Sequence, residues 1–385
     1  MAAPKLRFKE FDGDLTESKL VELTLWASGG TPAKDIPEYW GDDIPLISGA
    51  SMHTNQLYES DVKITRLGLQ KGSKLAPKDS ILILVRGSML FNKIPMGITL
   101  GDVAFNQDVK CIRPKQELAP QFLFQWLHAK ENTIQNKVTA TGIGAGKLDT
   151  ADLQNLKLYK PSSEEQAKIA SFLSNVDEKI SQLTQKHALL SQYKQGMMQK
   201  LFSQQIRFKA DDGSEFGEWE EKKLGDICSH FQSGKTITSA TISDNGAYPV
   251  FGGNGLRGFT DTYTHDGIFA LIGRQGALCG NINLVQGENF ISEHAIAVQA
   301  NQESSTQWLA IWLDFMQLNR FSESSAQAGL AVNKLVKFDI KVPCLEEQTK
   351  IANFLSSIDQ KIEVVAQQIE LAKTWKKGLL QQMFV

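Results

Sequence analysis

One stretch of this chain is written twice, and it constrains the fold more than anything else in the sequence. Pro161 to Phe202 returns as Pro343 to Phe384, 182 positions on (161 to 343) and without a gap. Pro161, Glu164, Glu165, Gln166, Lys168, Ile169, Ala170, Phe172, Leu173, Ser174, Asp177, Lys179 and Ile180 all have identical counterparts in the second copy. Self-similarity of this length marks a duplicated architecture.

Both copies read as long helices. The first carries apolar residues at steps of four and three: Ile169, Leu173, Val176, Ile180, Leu183 and Leu190. The second carries Ile351, Leu355, Ile358, Ile362, Val365 and Ile369. Such steps average about 3.5 residues, the period that keeps a seam facing a partner helix. Lys194 and Lys376 interrupt the seam at the same place in each copy. A proline is expected to open each helix, and Ser162 with Glu165 fits a capping box. The paired glutamates stand near the positive helix end. At about 1.5 Å per residue each helix is roughly 60 Å long. The simplest packing sets the two against each other, and an antiparallel arrangement would put the globular segments at opposite ends.

A smaller repeat marks where the globular segments begin. Leu6-Arg7-Phe8-Lys9 returns as Ile206-Arg207-Phe208-Lys209, and Asp12-Gly13 as Asp212-Gly213. The segments end alike too: Leu148, Leu153, Leu156 and Leu158 match Leu330, Leu335, Phe338 and Ile340. The middles differ. In the first, strands are expected at 44–47, 81–85 and, with interruptions, 103–112, and a helix at 122–130. In the second, strands are expected at 248–251, 268–272, 282–285 and 295–299, and a helix at 308–315. Mixed strand and helix indicate an α+β or mixed α/β class. Two related frames with unlike inserts suit a protein that recognises two different things.

Charge and cysteine content exclude several classes. The 385 residues carry a formal charge of −2. Residues 24–160 hold 16 Lys and Arg against 13 Asp and Glu, and residues 228–342 hold 7 against 9, so neither segment is a basic module. The 4 cysteines form no CxxC, which fits a reducing, cytoplasmic setting and no zinc site. The aliphatic run 81–85 is too short to span a membrane, and the N-terminus shows no secretion signal.

Motif-like stretches separate into decoys and candidates. Gly253-Asn254-Gly255-Leu256-Arg257-Gly258 satisfies GxGxxG, but no helix start comes after it, as a dinucleotide site requires. Ser233-Gly234-Lys235-Thr236 has the end of a P-loop without its first glycine, and Gly142 to Lys147 is one residue short. Gly142 to Gly146 reads as a flexible loop. No histidine pair has metal-ligand spacing, so no catalytic or metal-binding residues are assigned. In each segment a strand runs into an arginine beside a glycine: Arg86-Gly87-Ser88 with Asn92-Lys93 behind, and Gly273-Arg274-Gln275 with Asn281 behind. Arginine can grip guanine or phosphate, and Asn or Gln can read adenine. The alternative is a surface turn whose arginine pairs locally. The candidate DNA-binding set is Arg86, Ser88, Asn92, Lys93, Lys235, Asn254, Arg257, Arg274, Gln275 and Asn281.

At these residues the chain resembles the specificity subunit of type I restriction-modification systems. The duplicated Pro-x-x-Glu-Glu-Gln-x-Lys-Ile-Ala-x-Phe-Leu-Ser starts carry the resemblance, with Gln199-Lys200-Leu201-Phe202-Ser203-Gln204 running into Ile206-Arg207-Phe208. Ser28-Gly29-Gly30-Thr31-Pro32 with Tyr39-Trp40-Gly41 looks like the opening of a first target recognition domain, and 248–264 with 272–294 like a second. The resemblance implies two target recognition domains, at 1–160 and 205–342, separated by conserved antiparallel coiled-coil helices at 161–204 and 343–385, with internal pseudo-twofold symmetry. It implies that each domain reads half of a split double-stranded DNA target while the helices set the gap. It also implies two methyltransferase (modification) subunits and restriction/translocase subunits as partners. S-adenosylmethionine, ATP and Mg would belong to those partners, and this chain would hold no cofactor. A protein-binding scaffold with two heads and a stand-alone nuclease are the other readings.

Overall fold

The computed structural model describes residues 3–142, 144–276, 278–322 and 329–385. Ile143, in the expected loop 142–146, lies outside the described residues. The chain divides into two compact units, Met1–Thr184 with Gln367–Val385, and Gln185–Ala366. The division falls inside both long helices, so each unit is a globular head plus the start of one helix and the end of the other.

In the first unit, strand β1 (Thr16–Lys19) leads to β2 (Thr24–Ser28), β3 (Ile81–Leu84), β4 (Arg86–Gly87), β5 (Met96–Thr99) and β6 (Val109–Pro114). Helix α1 (Pro120–Ala129), β7 (Gly146–Lys147) and β8 (Lys157–Lys160) come next, and then the long helix α2 (Ser163–Phe202). The main sheet has the order β2-β6-β3-β5, with Gln56–Leu57 at its edge. The run Ile81–Leu84 is buried at every position, as a central strand covered on both faces must be. A second sheet gathers Lys63–Ile64, Trp40–Ile47, Val103–Phe105 and Lys74–Ala76.

The second unit repeats the frame. Strand β9 (Glu220–Lys223) is followed by β10 (Cys228–Ser233), β11 (Tyr248–Gly252), β12 (Gly255–Thr260), β13 (Ile268–Gly273), β14 (Ile282–Gln286) and β15 (Ala295–Ala300). Helix α3 (Thr306–Phe315) and β16 (Asp339–Val342) lead into the long helix α4 (Leu345–Met383). The main sheet runs β10-β15-β13-β14, so β10, β15, β13 and β14 occupy the places of β2, β6, β3 and β5. In each unit the first strand pairs antiparallel with the last before the helix, β1 with β8 and β9 with β16. The mixed helix-and-sheet class and the duplication are therefore as expected. Strands β10 and β12 are not announced by the sequence. Strand β12 takes up the second half of the GxGxxG stretch, where a dinucleotide site would begin a helix.

The repeated residues have repeated roles. Arg7 donates from Nε and Nη2 to the Glu165 carboxylate, both at 2.7 Å, and Arg207 holds Glu347 in the same way at 3.1 and 2.7 Å. Gln166 accepts from the Ala119 amide at 2.9 Å and donates to the Pro161 carbonyl at 3.0 Å. Gln348 does the same for Ser305 and Pro343, both at 2.8 Å. The prolines therefore stand just before the helices rather than in their first turns. The capping box is half made: Ser162 Oγ accepts from the Glu165 amide at 3.3 Å, but the Glu165 carboxylate turns to Arg7. Lys168 pairs with Glu10, and Lys350 with Asp211.

Helices α2 and α4 pack antiparallel: in each unit the start of one lies with the end of the other. In the first unit Ile169, Leu173 and Val176 share a core with Leu379, Leu380 and Met383. In the second, Ile351, Leu355 and Ile358 share one with Met198 and Leu201. Leu183, Val365 and Ile369 are also buried, while Ile180, Leu190 and Ile362 are half-buried. Burying a leucine fully, as at Leu173 and Leu355, stabilises by about 2 kcal/mol. The polar interruptions are matched: Lys376 pairs with Asp177 and Lys194 with Asp359, each at 2.6 Å.

Candidate nucleic-acid interface

Apart from Asn92 and Lys93, the candidate residues collect at equivalent ends of the two main sheets. In the first unit Leu84 lies opposite Val109, Lys110 opposite Ser28, and Ile83 opposite Met96. The C-terminal ends of β2 and β3 therefore meet the N-terminal ends of β5 and β6. In the second unit Ser233 lies opposite Ile296, Gly273 opposite Ala295, and Ile272 opposite Ile282. The corresponding four strand ends meet there.

In the first unit, Arg86 leaves β3 and enters β4, where it lies directly opposite Lys147 of β7. Both side chains are exposed, and neither makes an ion pair among the described residues. Like charges face to face on a sheet repel, so the pair favours an anion between or above them. Gly146 permits the approach, since a Cβ there would sit 2.9 Å from Leu90 Cβ and 3.0 Å from the Gly87 carbonyl. Ser88 starts the turn 88–91 and is exposed. Asn92 and Lys93 close it, both amides donating to the Met89 carbonyl at 3.0 Å. Asn92 lines a different feature, a groove of about 490 Å³ shared with His128, Gln135 and Lys377. The structure thus joins Arg86 and Ser88 to Lys147, and sets Asn92 towards a separate groove. Lys147 is not in the sequence-based set, because it follows a glycine-rich stretch that reads as a flexible loop and its pairing with Arg86 is made far along the chain. Lys110 and Gln107 were also missed: they neighbour Ser28 and Thr31 through contacts made across the sheet.

In the second unit four loops converge. Lys235, just past β10, donates its amide to the Ile291 carbonyl at 2.8 Å and accepts from the Glu293 amide at 3.1 Å. Arg274, just past β13, donates its amide to the His294 carbonyl and accepts from the Leu330 amide, both at 3.0 Å. Asn281 closes the Arg274 loop by accepting from the Gly273 amide at 2.8 Å. The hairpin β11–β12 carries Asn254 and Arg257, both exposed. Its glycines serve close approach. A Cβ on Gly253 would lie 2.8 Å from the His294 carbonyl and 2.9 Å from Gly273 Cα, and one on Gly252 would lie 2.8 Å from Arg257 Cδ. His294 is the neighbour that sequence reasoning missed. Further along the sheet from these loops, His230 and His265 meet edge to face at 5.2 Å. Burial holds both rings below the usual histidine value, helped at His230 by the Lys235 charge and at His265 by His230 and then Lys235.

The two arginines are not equivalent. Leu148 donates its amide to the Val85 carbonyl, whereas its counterpart Leu330 donates to that of Arg274. Lys147 faces Arg86, whereas its counterpart Gly329 faces Gln275. Arg86 therefore corresponds to Gln275, and Arg274 to Val85. Side chains alternate along a strand, so this one-residue shift gives each end its own chemistry on a shared frame.

Comparison with known proteins agrees with this architecture. The family described as "Type I restriction modification DNA specificity domain" matches residues 13–192 and 217–374. The chain is 31% identical over 350 residues to the type I restriction enzyme EcoprrI specificity subunit of Escherichia coli, covering 86% of this chain and 84% of that one. It is 24% identical over 409 residues to the putative MjaX specificity subunit of Methanocaldococcus jannaschii, covering 98% and 94%. Among solved structures, the type I restriction-modification S subunit from M. genitalium superposes with a TM-score of 0.68 at 19% identity, covering 100% of this chain and 99% of that one.

Proposed function

The chain belongs to the type I restriction-modification DNA specificity family, and from that premise we propose that its two sheet ends read the two halves of a split DNA target. The chain performs no chemistry itself. The observation that carries this is that the arginine sits one residue apart on otherwise equivalent frames. Equivalent ends of equivalent sheets offer Arg86 and Lys147 in one unit, and Lys235, Arg257, Arg274 and Gln275 in the other. A duplicated frame with unlike polar ends suits two different base sequences, because identity is read by side chains at base edges. The nuclease and scaffold readings have no support among the relatives.

Helices α2 and α4 set the unread interval and dock modification subunits, which supply S-adenosylmethionine-dependent adenine methylation. Restriction subunits add ATP- and Mg-dependent translocation. The near-neutral heads make phosphate contact from those partners part of the binding. No helix among the described residues is long and apolar enough to cross a membrane, and the proposed place of action is the cytoplasm, on DNA.

The test is selection from random double-stranded DNA by the chain assembled with its modification subunits. Two specified blocks around an unspecified gap are expected. One continuous motif, no motif, or DNA cleavage by the chain alone with Mg²⁺ contradicts the proposal.

A further inference from the structure

The polar loops of both units also present large apolar side chains to water. In the second unit Leu256 is 55% exposed and Leu278 48%; in the first, Phe91 is 47% exposed. Leu256 stands between Gly255 and Arg257 at the start of β12, with Asn254 one residue further back. Leu278 lies in the loop that begins at Arg274 and closes at Asn281. The two loops touch, for a Cβ on Gly273 would lie 2.5 Å from the Leu278 carbonyl and 2.9 Å from that of Gly253. Both leucines thus lie on loops that meet, and Arg257 and Arg274 lie on those same two loops.

Single exposed leucines are ordinary and call for no explanation. These two sit among cations at the end of the sheet, where a polyanion is drawn in. A protein partner held by apolar contact would call for a broad continuous patch, which two exposed leucines on arginine-bearing loops do not make. The major groove of DNA offers one apolar group on a base edge, the 5-methyl of thymine, set beside hydrogen-bonding edges and phosphate. An exposed leucine next to an arginine, on loops that also carry Asn254 and Arg274, matches that mixture.

We infer that Leu256 reads a thymine methyl group in the half-site bound by the second unit, with Leu278 beside it and Arg257 and Arg274 on neighbouring phosphate or guanine. The inference rests on the DNA-reading function proposed above. Its test uses the chain assembled with modification subunits and the target that this complex selects. Each thymine of the second half-site is replaced in turn by deoxyuridine, which removes only the methyl group. At one thymine the replacement weakens binding about fourfold, the value of one buried methyl-sized group. Leu256→Met keeps that sensitivity, and Leu256→Ser loses it while still binding the uracil-containing target as well as the thymine-containing one. The inference is overturned if no thymine of that half responds, if Leu256→Ser responds as the unaltered chain does, or if the half-site contains no A·T pair. Full base changes at those positions separate the two claims. If they still abolish binding while uracil does not matter, DNA reading stands and the thymine contact falls.

Discussion

At Glu165 and Glu347 a carboxylate with 3% and 1% of its side chain exposed is held by an arginine that keeps 21% and 19% of its own. Removing the arginine strands a buried charge, so Arg7→Ala and Arg207→Ala should each cost roughly 3 kcal/mol in urea unfolding. The repeat drew attention to both glutamates, yet their partners could not be read from spacing, because Arg7 and Arg207 lie far off in sequence. His230 and His265 carry a second prediction. Burial, first among the causes, lowers both below 6.5. The unfolded chain therefore binds more protons once pH drops under that value. The stabilisation is full above about 6.5 and is lost as pH falls through the folded values. Hydrogen-exchange protection of β13 should thus be higher at about pH 7.5 than at about pH 5.5, with a smaller change in β3 of the other unit. His230→Phe with His265→Phe should flatten the difference, and an equal fall in both units contradicts the account. For the reading residues, Arg274→Ala should cost about 1–3 kcal/mol for the second half-site and leave the first unchanged.

The long helices were the most legible elements, since a seam repeated twice leaves little freedom. Leu173→Ala and Leu355→Ala should each cost about 3 kcal/mol, because both sites are fully buried in their cores. The Lys376–Asp177 and Lys194–Asp359 pairs are partly exposed, and double-mutant cycles should give about 1 kcal/mol or less for each. Exchanging the charges within a pair should restore most of what the single changes remove. A coupling near zero in both would leave register to the apolar residues alone. Strands β3, β13 and β15 were legible as apolar runs. Strand β10 was not, because Cys228-Ser229-His230-Phe231-Gln232-Ser233 alternates too weakly at a sheet edge. Nor could the shift that makes Arg86 the counterpart of Gln275 be read, because it is defined by β7 and by Gly329, far along the chain.

For the molecule as a whole, the duplication and the unlike middles announced two related heads, and the structure supplies equivalent sheets with different polar ends. The chain's formal charge of −2 fits the proposal that phosphate contact comes in part from partner subunits. The central claim is that each head reads on its own. The most direct measurement exchanges residues 228–342 for the matching segment of another family member and repeats the DNA selection with modification subunits present. The account predicts that one block of the selected sequence changes while the other block and the gap stay as they were. A change in both blocks, or in neither, would contradict it.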